Sequence, residues 1–230
     1  RSLTKVPVIT LDGPSGTGKG TLCHKLAEYL GWHILDSGVL YRALAYLADL
    51  RAINISAIDA LVELAQALPI EFERQDIILD GVVNPALRSE ACGAKASVVA
   101  AIPEVRDALL ARQRAFATMP GLVTDGRDMG TVVFPGADLK IYLDASLEAR
   151  ANRRYLQLKN SEKNVSLAQV VGELAKRDAR DAGRVHAPLL APKDAISIDT
   201  TELSVAQVFE KMCELIHEKG FKGEIGRAHV

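Results

Sequence analysis

Apolar positions along the chain switch between a two-residue and a 3.6-residue period, and each switch marks an element. The alternation predicts a strand over 6–11, despite Pro7 near its start, then a helix over 22–29 closed by Gly31. A short strand over 32–35 follows, and 41–49 carries Leu44, Leu47 and Ala48 at helical spacing, which places Arg42 at a helix start. After a helix over 54–67, residues 70–73 and 76–80 read as short strands around a turn. That β-rich piece interrupts the strand–helix alternation and is read as an inserted subdomain extending through Ala91. Helical periodicity returns over 97–101 and 105–118, broken near Pro103. Strands are predicted over 122–124 and 139–143, and helices over 147–158 and 167–178 flank a polar loop at 159–164. A last strand over 195–198 precedes a helix over 205–218, whose Val205, Phe209, Met212 and Ile216 define a packing face. With no long-period repeat and no low-complexity linker, the pattern is that of one α/β core with excursions.

Between the first strand and the first helix lies Gly13-Pro14-Ser15-Gly16-Thr17-Gly18-Lys19-Gly20-Thr21. Glycines let backbone N–H groups converge on bound oxygens, and the following helix presents its positive end. Lys19 is placed to reach outer phosphates, and the Thr21 hydroxyl to meet Mg²⁺ or its water shell. Gly-rich turns also join strands to helices without a ligand, but the full GxxxxGK spacing with both flanking elements favours a polyphosphate cradle. Gly20 follows the lysine, so the hydroxyl residue comes one position late; this variant suits a small kinase better than a GTPase or a motor.

Composition sets outer limits. The 230 residues are 48% apolar, enough for a well-buried core, and 28 Lys and Arg against 29 Asp and Glu leave a net charge of -1. That balance argues against a nucleic-acid coat, and no basic–aromatic alternation offers stacking platforms. Cys23, Cys92 and Cys213 have neither disulfide nor zinc spacing, so buried reduced thiols are expected. No secretory leader and no membrane-length apolar run is read, so a soluble, cytoplasmic protein without membrane partners is expected. Arginines supply the second chemical signal: Arg42, Arg106, Arg127, Arg177, Arg180 and Arg184 fall near strand ends or on polar helix faces. Arg177, Arg180 and Arg184 share helix-neighbour spacings, forming one stripe if the helix persists and a tight positive cluster if Gly183 ends it. Solvent exposure offset by Asp178 and Asp181 is the ordinary reading of such a stretch; beside a phosphate cradle, guanidinium forks suit phosphate clamping better.

On these residues the chain resembles the nucleoside monophosphate kinases, and specifically the bacterial cytidylate kinase family, over nearly its full length. The resemblance is carried by the phosphate loop, by Leu35-Asp36-Ser37-Gly38, Tyr41-Arg42 and Arg112-Gln113-Arg114-Ala115-Phe116, by 125–135 (DGRDMGTVVFP), and by Arg177-Asp178-Ala179-Arg180-Asp181 with Arg184. It implies a P-loop kinase core with a parallel sheet flanked by helices, an inserted monophosphate-binding subdomain and a mobile lid. The core would comprise 3–40, 105–152 and 185–220, the monophosphate-binding part 41–104 and the lid 153–184, with 221–230 a tail or vector-derived residue.

The resemblance also implies site roles. The loop from Gly13 to Thr21 would hold ATP; Lys19, Arg127, Arg180 and Arg184 would serve transfer; Thr21 and, through water, Asp125 would hold Mg²⁺. Arg42, Arg127 and Arg184 would take the CMP or dCMP phosphate, Arg177 and Asp181 the sugar, and Ser97, Arg106 and Asp128 the base, with Ser37 lining the pocket. A monomer phosphorylating CMP and dCMP from ATP is the expectation. The alternatives are a P-loop regulatory module that binds ATP without transfer, or a kinase for UMP, AMP or shikimate. His33 and His186 are read as core-edge or surface residues and Trp32 as a packing residue.

Overall fold

The computed structural model describes residues 5–73, 76–160, 164–183 and 189–223. Strands β1 (Val8–Asp12), β2 (His33–Asp36), β6 (Leu122–Gly126), β7 (Leu139–Asp144) and β8 (Ile196–Asp199) form one parallel sheet in the order β2-β6-β1-β7-β8. A parallel sheet needs crossovers that cover its faces, and side-chain alternation within β1 follows from that. Val8 packs with one cluster of helices, whereas Ile9 and Leu11 pack with the other.

Helices α1 (Lys19–Leu30) and α8 (Val205–Glu218) cover the second face, joining Leu22, Leu26, Met212 and Ile216 to Val123, Ile141 and Leu143. Helices α2 (Ser37–Leu50), α3 (Ile58–Gln66), α4 (Glu90–Ala100) and α5 (Pro103–Arg114) build the first. Into that layer is set an antiparallel sheet of β3 (Ile70–Glu73), β4 (Asp76–Leu79) and β5 (Val82–Val83). Helices α6 (Leu147–Lys159) and α7 (Leu167–Ala182) pack on each other around Ala151, Leu158, Val170 and Leu174. The expected α/β core and β-rich insertion are present, with β5 as an additional short strand.

Several boundaries move for identifiable reasons. Helix α1 begins at Lys19 because Gly18 takes a left-handed N-cap conformation, φ 82°, which a side chain resists. Helix α2 begins at Ser37, since the Asp36 carboxylate accepts from Val39 N at 3.3 Å; Arg42 therefore sits in the second turn and does not open the helix. Helix α4 starts seven residues earlier than read, at Glu90, where the Ser89 hydroxyl accepts from Cys92 N. Helix α7 runs to Ala182 with Gly183 as its C-cap. Arg177, Arg180 and Asp181 thus lie on one continuous helix, while Arg184 and His186 lie outside the described residues.

On α8 the buried positions are Val208, Met212 and Ile216; Val205 is exposed, which shifts the packing face by part of a turn. The expected divisions at 40/41 and 152/153 fall inside α2 and α6. Phe221 packs edge-on against Trp32 at 5.2 Å, so the terminal segment contributes to the core at least that far. Cys23 and Cys92 are buried, Cys213 half-buried, and none is disulfide-bonded.

Gly13 is a fixed point of the architecture: at φ 152° its Cα sits where an added Cβ would lie 2.0 Å from the Leu143 carbonyl oxygen of β7. Gly13→Ala should lower stability by more than about 3 kcal/mol, since backbone rather than a flexible side chain must yield. Chemical denaturation of the two proteins checks this; a loss below about 1 kcal/mol would mean that the β1–β7 contact can open there.

Candidate active site

In an open parallel sheet, ligands collect beyond the carboxyl ends of the strands, where neighbouring connections diverge. Strand β1 lies between β6 and β7, so the loop leaving Asp12 emerges at such a point. Thr17 closes the loop on itself, donating from Oγ1 to Pro14 O at 3.1 Å. From α6, Arg150 Nη1 donates to Ser15 O at 3.2 Å and Arg153 Nη1 to Gly16 O at 3.1 Å. The Ser15 and Gly16 carbonyls of the turn are thereby held by guanidinium groups. Neither arginine stood out in the sequence; the only signal was their spacing at the start of an amphipathic helix after a strand.

The cleft over this loop has a volume of about 660 Å³ and is lined by Lys19, Thr21, Asp36, Arg42, Asp125, Arg127 and Arg177. Arg88 and Arg154 line it too, cations to which the sequence reading assigned nothing. A larger cleft of about 1160 Å³ is lined by Trp32, His33, Phe72 and Phe116, and among the described residues neither the phosphate loop nor an arginine lines it. Charge and donor geometry, rather than size, locate the site. Around it, Arg127 donates from Nη2 to Ser15 Oγ at 2.7 Å and pairs through Nε with Asp181 at 2.5 Å. Arg150 forms a bidentate pair with Asp178, at 3.1 and 2.6 Å. Two carboxylates three residues apart on α7 thus hold two arginines that both grip Ser15. Arg177 is buried on the same helix, whereas Arg180, half-buried, does not line the cleft.

Beneath the loop, in-register pairing sets Asp36 of β2 beside Asp125 of β6. Burial raises the Asp125 carboxyl well above the usual carboxylate range; the Asp36 charge adds to this and Lys19 opposes it. Burial also lowers the Lys19 ammonium below its ordinary value, helped by Arg127, with Asp125 and Asp36 opposing. Asp125 Oδ1 is buried with no hydrogen-bond partner among the described residues. A hard oxygen left unsatisfied beside a second carboxylate fits Mg²⁺, which takes one or two carboxylates along with phosphate and water oxygens. Thr21, exposed on the first turn of α1, lines the same cleft.

Next in the chain to Arg127, Asp128 belongs to a group of buried polar side chains. Arg106 and Asp128 form an ion pair, each side chain 5% exposed, and Arg106 Nη1 donates to Ala100 O at 2.8 Å. The guanidinium also lies over the Tyr41 ring, 5.3 Å from its centroid. Burial works to lower the Arg106 pKa, but Tyr41 and Asp128 outweigh it and hold the group above its ordinary value. Ser97 Oγ and Arg106 Nε are buried without hydrogen-bond partners among the described residues. Ser37 donates to Gln113 Oε1 at 2.8 Å, so Gln113, which the sequence left without a role, fixes the Ser37 hydroxyl. Arg42 Nη1 donates to Leu87 O at 2.7 Å and Ser89 O at 3.0 Å, bracing the insertion while lining the cleft. His33 is exposed, its Nε2 3.0 Å from Met119 O and away from the loop.

A phosphate loop at the end of a central parallel strand, with arginines converging over it, defines a P-loop kinase. Residues 9–218 match the family model described as cytidylate kinase. The cytidylate kinase of Pseudomonas savastanoi pv. phaseolicola (strain 1448A / Race 6) is 53% identical over 226 residues, spanning 95% of this chain and 99% of that protein. The cytidylate kinase of Proteus mirabilis (strain HI4320) is 52% identical over 211 residues, spanning 90% of this chain and 94% of that protein. The chain belongs to the cytidylate kinase family. An uncharacterized protein from Eubacterium ventriosum ATCC 27560 shares the fold at 13% identity, with a TM-score of 0.53 over 93% of this chain and 99% of that one. Family membership leaves the reading as a binding-only module without support. Among the described residues no helix is long and apolar enough to cross a membrane.

The raised Asp125 carboxyl yields a signed prediction. A folded-state pKa above the unfolded value of 3.8 means that Asp125 weakens the nucleotide-free fold progressively as pH rises above that value. Asp125→Asn should therefore be more stable than the parent by about 1 kcal/mol or more at neutral pH, with a smaller gap near pH 4, yet lose Mg²⁺-dependent turnover by at least about tenfold. Denaturant melts across pH, together with turnover against Mg²⁺ concentration, check both halves.

Proposed function

We propose that this protein transfers the γ-phosphate of ATP to the phosphate of CMP and dCMP, releasing ADP with CDP or dCDP. What supports the reading beyond the phosphate loop is the buried Arg106–Asp128 pair, with Arg106 also bonded to Ala100 O of α4, the helix that carries the unpartnered Ser97 hydroxyl. Cytosine offers an exocyclic amine next to a ring nitrogen and a carbonyl. Asp128 accepts from the amine, while Arg106 and Ser97 donate to the two acceptors. Uracil presents a carbonyl where the amine was and would set an oxygen against the carboxylate, which disfavours UMP.

In this scheme the loop from Gly13 to Thr21 carries the donor phosphates, and Lys19 supplies a cation toward them. Arg42, Arg127 and Arg184 bind the acceptor phosphate, Arg177 and Asp181 orient the sugar, and Ser37 lines the pocket. Arg180, turned from the cleft, belongs to the part that closes with α7. Thr21 and, through water, Asp125 with Asp36 beside it would hold Mg²⁺, which would supply charge neutralisation to the phosphate oxygens. The acceptor oxygen is already anionic, so no side chain has to remove a proton. The protein aligns two anions and screens their repulsion with fixed cations.

Arg127 and Arg150 both touch the loop at Ser15 and both pair with α7, so movement of that helix is communicated to the phosphate loop. Segment 153–184 acts as the lid and 41–104 as the acceptor-binding part. Closure excludes water, which would otherwise take the phosphate.

The test is ATP-dependent turnover across CMP, dCMP, UMP and AMP with products identified directly. CDP and dCDP should dominate; ATP binding with no CDP formed would overturn the proposal. Asp128→Asn should reduce kcat/KM for CMP by roughly a hundredfold and compress the CMP-over-UMP ratio at least about tenfold. An unchanged ratio in a folded variant would remove Asp128 from base recognition.

A further inference from the structure

Asp128 stands at the N-cap position of the single wide turn Met129–Val133, with φ −137° and ψ 21°, yet its side chain makes no capping hydrogen bond. An aspartate in that position ordinarily turns its carboxylate onto the first amides of the helix that follows. Here those amides are satisfied from elsewhere in the chain. Met129 N donates to Asp12 Oδ1 and Gly130 N to Asp12 Oδ2, each at 2.8 Å.

Asp12 is the last residue of β1, has no solvent exposure, and is followed directly by Gly13 of the phosphate loop. Because another carboxylate supplies the cap, Asp128 is left to pair with Arg106. Resting on the function proposed above, we propose that Asp12 is a positioning residue for acceptor selectivity. By capping Met129 and Gly130 from β1, it keeps Asp128 directed at the base pocket and ties that pocket to the phosphate loop.

The alternative is a carboxylate that only stabilises the fold. Burial is severe enough to raise the Asp12 carboxyl to about 6 even though both amides act to lower it. A group so costly to ionise is a poor choice for stability alone, and the two roles separate experimentally. Asn at this position keeps the shape but can accept with one atom only, setting its NH₂ against the second amide. That amide then competes for the Asp128 carboxylate.

Turnover of CMP and UMP, ATP binding and melting temperature should be measured for the full-length wild type and Asp12→Asn. Asp12→Asn should raise KM for CMP at least about tenfold with a smaller change in kcat, cut the CMP-over-UMP ratio about tenfold, and leave the Kd for ATP within about threefold. In an Asp128→Asn background the same substitution should move the ratio by less than about twofold, because both act through one carboxylate. Asp12→Glu, which restores charge, should recover part of the selectivity.

A folded Asp12→Asn enzyme with the wild-type ratio overturns the proposal, and so does full additivity with Asp128→Asn. Failure of both Asp12 variants to fold also overturns it and makes Asp12 a residue of stability only. A wild type that never phosphorylates CMP would strike the proposed reaction instead.

Discussion

Parallel pairing of β1, β2 and β6 concentrates charge at one end of the sheet, and the rest of the site answers to that constraint. Register places Asp36 beside Asp125, and β1 ends at Asp12 on the neighbouring strand, all beneath a half-buried lysine. Burial strips both Asp12 and Asp125 of water and makes each bind its proton more tightly than usual, with repulsion from Asp128 adding to the first and from Asp36 to the second. Such a cluster is a poor choice for stability but a good one for gathering cations. The arginines above it carry the opposite excess.

Those arginines are disciplined by one helix. Asp178 and Asp181 fall on the same side of α7, and through Arg150 and Arg127 they reach the carbonyl and the hydroxyl of a single loop residue, Ser15. Guanidinium forks suit this work because two bonds fix an orientation where an ammonium would fix only a distance. The phosphate loop and α7 are therefore joined through two arginines.

Selectivity depends on a different economy of polar groups. Arg106 and Asp128 are paired and buried, and Ser97 Oγ and Arg106 Nε have no hydrogen-bond partner among the described residues. Buried donors without partners are costly unless something completes them, and under the proposed function a base whose edge carries the wrong pattern leaves them unpaired. Asp12 accepts from the Met129 and Gly130 amides, while Asp128 pairs with Arg106.

The fold class was legible from the chain because its signals are local. Glycines before Lys19, alternating periods and the β-rich interruption at 70–80 each act over a few residues, and the structure has the core and insertion they imply. Helix starts were read less well: the caps at Asp36, Gly18 and Ser89 depend on which side chain or backbone conformation wins locally, a difference of about 1 kcal/mol that periodicity does not register. The motif words named many residues that line the cleft or belong to the group of buried polar side chains, Lys19, Arg42, Arg106, Asp125, Arg127, Asp128 and Arg177 among them. What they could not name were residues whose importance is a distance. Asp36 matters through its strand register, Gln113 through Ser37, Arg150 and Arg153 through loop carbonyls, and Asp12 through amides 117 and 118 positions further along. The sequence determined which chemistry this protein carries, since residue type and spacing set charge and donor capacity; only the tertiary structure decided which groups share those contacts, because parallel crossovers join positions that no local pattern relates.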